Sequence, residues 1–234
     1  MIPPPTARNL AWLAKHHFGK IRLASFVVWL SPAMWLATEW WNGALGINPL
    51  NRLLHVTGSW AMIMLLVTLG VTPARRLSVV ASQLLHAHYG KRVSDWNWLI
   101  RLRRQMGLFG FFYGCLHLSI YLAFDVGLQV DAVREDVFER PFIFVGFLAF
   151  TMLIPLAVTS NQASMRRMGR SWRRLHLLSY PIALLAVTHF WLLVKPGHHE
   201  PLPYSIALVL LLVARLAAWR RGDRGAGIEV KERG

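Results

Sequence analysis

The stretch SWRRLHLLSYPIALLAVTHFWLLVK (171–195) is almost wholly apolar between Leu175 and Val194, yet it carries His176 near one end and His189 near the other. A run of about 20 apolar residues is what a helix needs to cross the hydrocarbon core of a bilayer. Two imidazoles in such a run are costly, and ionisable groups inside membrane helices tend to face the bundle interior. The segment therefore reads as a membrane span with a chemical task.

The pattern recurs along the chain. Six spans are expected: Ile21–Trp41, Leu53–Val71, Gly107–Phe124, Pro141–Val158, Leu175–Val194 and Leu202–Trp219. Only 16% of the 234 residues are charged, against roughly a quarter in a soluble domain, and they cluster between the apolar runs. The expected fold is an all-α integral membrane protein, a six-transmembrane-helix bundle forming one domain. Pro32, Pro155 and Pro181 fall inside spans, which bundled membrane helices tolerate. The N-terminal stretch lacks the short apolar core and cleavage site of a signal peptide, so the first span reads as a retained anchor.

The net charge of +15 is distributed by topology. With six spans, all basic residues except Arg52, Arg134, Arg140 and Lys195 fall on the side that holds both termini. Such asymmetry marks the cytoplasmic side, with anionic lipid as the partner of the cations, and argues against nucleic acid. Asp125, Asp131, Glu135, Asp136 and Glu139 crowd the loop between spans three and four on the other side. That loop is either a solvated, loosely ordered segment or a docking surface for a partner outside the membrane.

Cys115 is the one cysteine, and C-x-x-C-H is absent, so covalent haem attachment and iron–sulfur clusters are excluded. No glycine-rich dinucleotide fingerprint follows a strand, so NAD(P)H or FAD chemistry is expected on another protein.

His55, His117, His176 and His189 belong to spans. His117 lies thirteen residues beyond Arg104, and His189 fifteen beyond Arg174. At about 1.5 Å per residue, the two imidazoles stand within roughly 3 Å of one level. Histidines at one height on parallel helices can clamp a flat metal macrocycle, and two axial imidazoles suit haem iron in electron transfer. His176 lies about 20 Å inward along the same helix, and on an ideal helix it points about 140° away from His189. Either Pro181 distorts the helix between them or the two levels use different flanks. Arg103, not a histidine, stands opposite the inner level. A rival reading is a transporter or proton channel lined by histidine relays, and a third is a haem-handling assembly factor.

These residues carry a resemblance. LGINPLNRLLHVTG (45–58), VTPARRL (71–77), RLRRQMGLFGFFYGCLHL (101–118), ERPFIFVGF (139–147), AVTSNQASMRRMGRSWRRLHLLSY (157–180) and THFW (188–191) resemble, in order, the haem-binding subunits of methionine sulfoxide reductase systems. These belong to the ferric-reductase-like transmembrane family, which also includes the NADPH oxidases. The resemblance implies a multi-pass protein of the bacterial inner membrane binding b-type haem, one or two per chain, and also FMN. It implies electrons drawn from the quinone pool or a cytosolic flavin reductase and passed to a periplasmic molybdopterin-containing methionine sulfoxide reductase subunit. The family's haem histidines fall on His117, His176 and His189, with Arg103 where the wider family offers a second histidine. The inner level then holds flavin or an unusual ligand, with Arg103 and Arg104 placed to attract phosphate or propionate. His55 matches the H-x-T-G of the family, and propionate binding, partner contact and a structural cap are all open to it.

Overall fold

The computed structural model describes residues 16–87 and 89–231, with the side chains of 218, 219 and 221–231 excepted. Arg8, Lys15 and Arg233, counted among the basic residues on the side of the termini, lie outside the described residues. All regular structure in the described residues is helical. In chain order the α-helices are α1 (Phe18–Trp41), α2 (Pro49–Leu84), α3 (Asn97–Ile120), α4 (Val130–Glu139), α5 (Pro141–Val158), α6 (Gln162–Met168), α7 (Arg170–Leu175), α8 (Ser179–Leu193) and α9 (Leu202–Lys231).

Among the described residues, five segments are long and apolar enough to cross a membrane: α1, α2, Val93–Asp125 built around α3, α5, and Arg170–Leu193 comprising α7 and α8. The sixth expected span falls on α9, whose apolar stretch Leu202–Ala217 is shorter than these five. Large apolar side chains such as Leu23, Val27, Leu184 and Val213 face outward, as lipid-facing positions do.

Several helices overrun the expected spans. α2 starts at an Asn48 cap whose side chain accepts from the Asn51 amide, with Pro49 at the first helical position, and it runs on past Pro73 to Leu84. α3 begins ten residues before Gly107, because the arginines preceding it are good helix formers although they are not apolar. The apolar run marks how far a helix is immersed, not where it ends.

α2 is central, touching α1, α3, α8 and α9. The most extensively packed pairs are α2 with α3 and α5 with α8. Met62, Leu66 and Leu69 of α2 pack with Ala183, Val187 and Phe190 of α8 and Leu208 of α9. Leu65, Leu153, Leu156 and Ile182 join α2, α5 and α8 in a second cluster. The acidic loop is not loosely ordered. Its residues 130–139 form α4, pinned where Tyr121 donates to Asp136 at 2.8 Å and Arg140 pairs with the same carboxylate at 3.1 Å.

Candidate functional site

A cavity of about 270 Å³ opens between the two tightly packed pairs, lined by α2, α3, α5 and α8. Its walls are mostly apolar, with Leu54, Met62, Leu65, Phe150 and Ile182 among them. His117 of α3 and His189 of α8 enter it from different sides, their ring centroids 6.2 Å apart and their planes 89° to one another. The common level expected from residue counting is thus realised as direct proximity.

Each ring is held by a backbone carbonyl. His117 Nδ1–H donates to the Leu54 carbonyl at 3.0 Å, and His189 Nδ1–H donates to the Phe142 carbonyl at 2.6 Å. A carbonyl can only accept, so the proton sits on Nδ1 and Nε2 keeps its lone pair. Two such imidazoles can bind one metal ion from opposite sides. With metal–nitrogen bonds of about 2 Å and about 1 Å more from nitrogen to ring centre, such an ion needs centroids about 6 Å apart. No group of three or more metal-ligating side chains occurs among the described residues. A two-histidine site for a metal already held by a macrocycle fits this donor set; a zinc or di-iron centre does not.

The other expected site residues divide. His55 lines the same cavity, but it is exposed and meets Phe190 edge-on, ring centroids 6.0 Å apart. His176 is not in the cavity wall. A 3-10 turn over His176–Leu178 separates α7 from α8. Pro181 cannot donate to the Leu177 carbonyl and its ring crowds it, so the tighter turn falls where the proline requires it. The turn interrupts the ideal helix on which the angle of about 140° between His176 and His189 is counted.

The His176 ring stacks on Trp172, with centroids 3.8 Å apart, and Nδ1–H donates to the Trp172 carbonyl at 3.0 Å. Its buried Nε2 has no hydrogen-bond partner. Arg103, half-buried on α3, is within electrostatic reach of His176, Tyr180 and Arg215, while Arg104 is exposed. The structure therefore brings Arg103 and His176 into one neighbourhood, at the arginine-rich end of the bundle and apart from the His117–His189 cavity.

The two carbonyls are functional groups that no side-chain pattern can reveal. Gly58 and Gly146, whose backbones lie against the two rings, were not among the expected site residues. Their only signal was a glycine inside an apolar span within segments already noticed for other reasons.

A helical membrane bundle with paired histidines facing across its interior is one architecture of transmembrane redox proteins. Residues 57–187 match the model of the ferric reductase like transmembrane component. The chain is 42% identical over 209 residues to the protein-methionine-sulfoxide reductase heme-binding subunit MsrQ of Herminiimonas arsenicoxydans, covering 87% of this chain and 88% of that one. It is 43% identical over 198 residues to the MsrQ of Xanthomonas campestris pv. campestris strain 8004 (82% and 83% of the two chains) and 38% identical over 222 residues to that of Azospira oryzae (94% and 83%). No solved structure matches. The chain belongs to the ferric-reductase-like transmembrane family, within it to the MsrQ haem-binding subunits.

Proposed function

We propose that this chain is the haem b electron-transfer subunit of a membrane methionine sulfoxide reductase system, with His117 and His189 as the two axial ligands of one haem. The observation that carries the reading is the pair of imidazoles 6.2 Å apart, both with Nδ1–H held by a carbonyl. A haem bound there supplies reversible one-electron transfer. Held by both His117 and His189, such a haem would have no open position for a small molecule, which would favour electron transfer. Leu65, Phe150, Leu153 and Ile182 exclude water and keep the surroundings of low dielectric, a lever on redox potential.

His176, Arg103 and Arg104 form the inner, electron-entry end of the proposal. Arg103 offers a planar, permanently charged fork suited to a phosphate or carboxylate. The cofactor held there is FMN or a second haem b. The electron donor is the quinone pool or a separate cytosolic flavin reductase. The acceptor is a periplasmic molybdopterin-containing methionine sulfoxide reductase subunit that repairs oxidised proteins. The arginine-rich end faces the cytoplasm and both termini lie on that side of the bacterial inner membrane, following the placement of the basic residues.

The first test is the absorption spectrum of the purified chain, with haem and flavin quantified. A red preparation with sharp bands on reduction is expected. A colourless, folded preparation overturns the reading and favours the histidine-lined transporter or proton channel. A second expectation concerns the inner end. Arg103→Gln lowers FMN content, or the second haem, per chain and leaves the low-spin spectrum of the His117–His189 haem in place. Unchanged stoichiometry in that variant removes Arg103 from the cofactor site.

A further inference from the structure

The two candidate ligands are received by their neighbouring helices in the same way. His117 of α3 donates to the Leu54 carbonyl of α2, and His189 of α8 donates to the Phe142 carbonyl of α5. In a helix, carbonyl i accepts from the amide of residue i+4. Residue i+4 is Gly58 in the first case and Gly146 in the second. Helical side chains lean toward the N-terminus, so a side chain at i+4 lies over carbonyl i. A glycine leaves the second lone pair of that carbonyl open to an imidazole from another helix.

The clearances measure how much this matters. A Cβ on Gly58 would stand 3.1 Å from both Nδ1 and Cε1 of His117. On Gly146 it would stand 2.8 Å from Nδ1 and 2.9 Å from Cε1 of His189. Both collisions fall on the Nδ1–Cε1 edge, which carries the hydrogen bond. Gly70 and Gly107 behave differently, meeting Leu211 Cδ2 at 3.6 Å and Thr68 Cγ2 at 3.8 Å, which is ordinary contact.

We propose that Gly58 and Gly146 are positioning residues for the two axial histidines: each opens a helix carbonyl to the ring and thereby fixes its Nδ1–H tautomer and its plane. The proposal rests on the axial assignment made above. A carbonyl held on Nδ1–H raises the basicity of the metal-bound nitrogen, and such outer partners govern affinity and potential. A more basic axial pair favours ferric over ferrous iron. Pushing the ring off its carbonyl therefore loosens the haem and shifts the reduction equilibrium toward the ferrous state.

The test uses the full chain in detergent, carrying Gly146→Ala or Gly58→Ala, beside Gly70→Ala and Gly107→Ala. Alanine is the better helix former at all four positions, so loss of helix propensity does not explain a defect. Haem affinity, the electron paramagnetic resonance spectrum of the ferric form and the reduction equilibrium are measured. Gly146→Ala should weaken haem retention on the order of 10–100-fold, the usual effect of losing an outer-shell partner. It should also alter the ferric resonance and shift the equilibrium toward reduction. Gly58→Ala should do the same more weakly, because 3.1 Å requires a smaller displacement than 2.8 Å. The Gly70 and Gly107 variants should track the unmodified chain. If Gly146→Ala does not fold, Gly58→Ala carries the test. Wild-type resonance and reduction behaviour in both cavity-side variants overturns the positioning role, provided His117→Ala and His189→Ala lose the low-spin spectrum. Histidine variants that keep that spectrum overturn the axial assignment itself, and the positioning role with it.

Discussion

His189→Ala and His117→Ala are each expected to abolish the low-spin haem spectrum. The effect is expected to be all-or-none, because each variant removes one of the two proposed axial donors and, among the described residues, the only other histidine, cysteine or methionine side chains lining the cavity are Met62 and His55. His55 is exposed and turned to Phe190, and Met62 is buried in the cluster joining α2, α8 and α9, so neither is placed to substitute. Truncation also leaves the Leu54 or Phe142 carbonyl without its imidazole donor, though each keeps its helical partner. The scaffold should therefore survive. Added imidazole entering the vacated space should restore six-coordinate bands, which separates a missing ligand from an unfolded bundle. His199→Ala, on an exposed loop, serves as the reference and should leave the spectrum untouched. An unaltered spectrum in either cavity variant removes that histidine from the coordination sphere.

Tyr113 carries the second large effect, on stability. Pro32 in α1 has no amide hydrogen, so the Val28 carbonyl loses its helical donor, and Ser31 Oγ donates to it instead at 2.9 Å. The next carbonyl and amide along the helix are those of Trp29 and Ala33. Tyr113, fully buried on α3, inserts its hydroxyl there, donating to the Trp29 carbonyl at 2.7 Å and accepting from the Ala33 amide at 3.2 Å. A side chain entering the i to i−4 ladder is one recognised cause of a helix kink. It is also a polar attachment of α1 to α3, nearer the middle of α1 than the bond that Gln105 Nε2 donates to the Arg22 carbonyl at 3.3 Å. Hydrogen bonds between membrane helices average about 0.6 kcal/mol, whereas an unsatisfied buried group costs about 1–3 kcal/mol. Two groups lose their partner in Tyr113→Phe, so the larger figure should decide, and a loss of about 1–3 kcal/mol is expected. Tyr113→Ala adds a cavity among Met64, Phe109 and Trp60, for about 3–5 kcal/mol in total. Unfolding in mixed micelles followed by helicity measures both. If Tyr113→Phe matches the unmodified chain, α1 recloses its own bond and the bridge does not stabilise the bundle.

The membrane spans were legible because their cause is local. Apolar length reports immersion directly, and α5 occupies the expected Pro141–Val158. The ends of α2 and α3 were not legible, since a helix outside hydrocarbon is maintained by propensity and capping rather than by hydropathy. The acidic loop was half legible: its charge was plain, but its order as α4 depends on Tyr121 and Arg140 meeting Asp136 across a turn.

The candidate site follows the same division. His117 and His189 stood out because imidazole is rare in apolar spans and helix rise is constant, so residue counting placed them at one height. Residue counting could not say which flank each faces, what holds Nδ1, or why His176 lies apart. Those depend on α2 meeting α3 and α5 meeting α8 closely enough for an imidazole to reach a backbone carbonyl. Sequence alone determined that this chain is a membrane bundle with histidines at a shared depth. Only the tertiary structure decided that two of them face one cavity with Nε2 free, because carbonyl positions and the clearance above a glycine belong to packed helices and not to any single one.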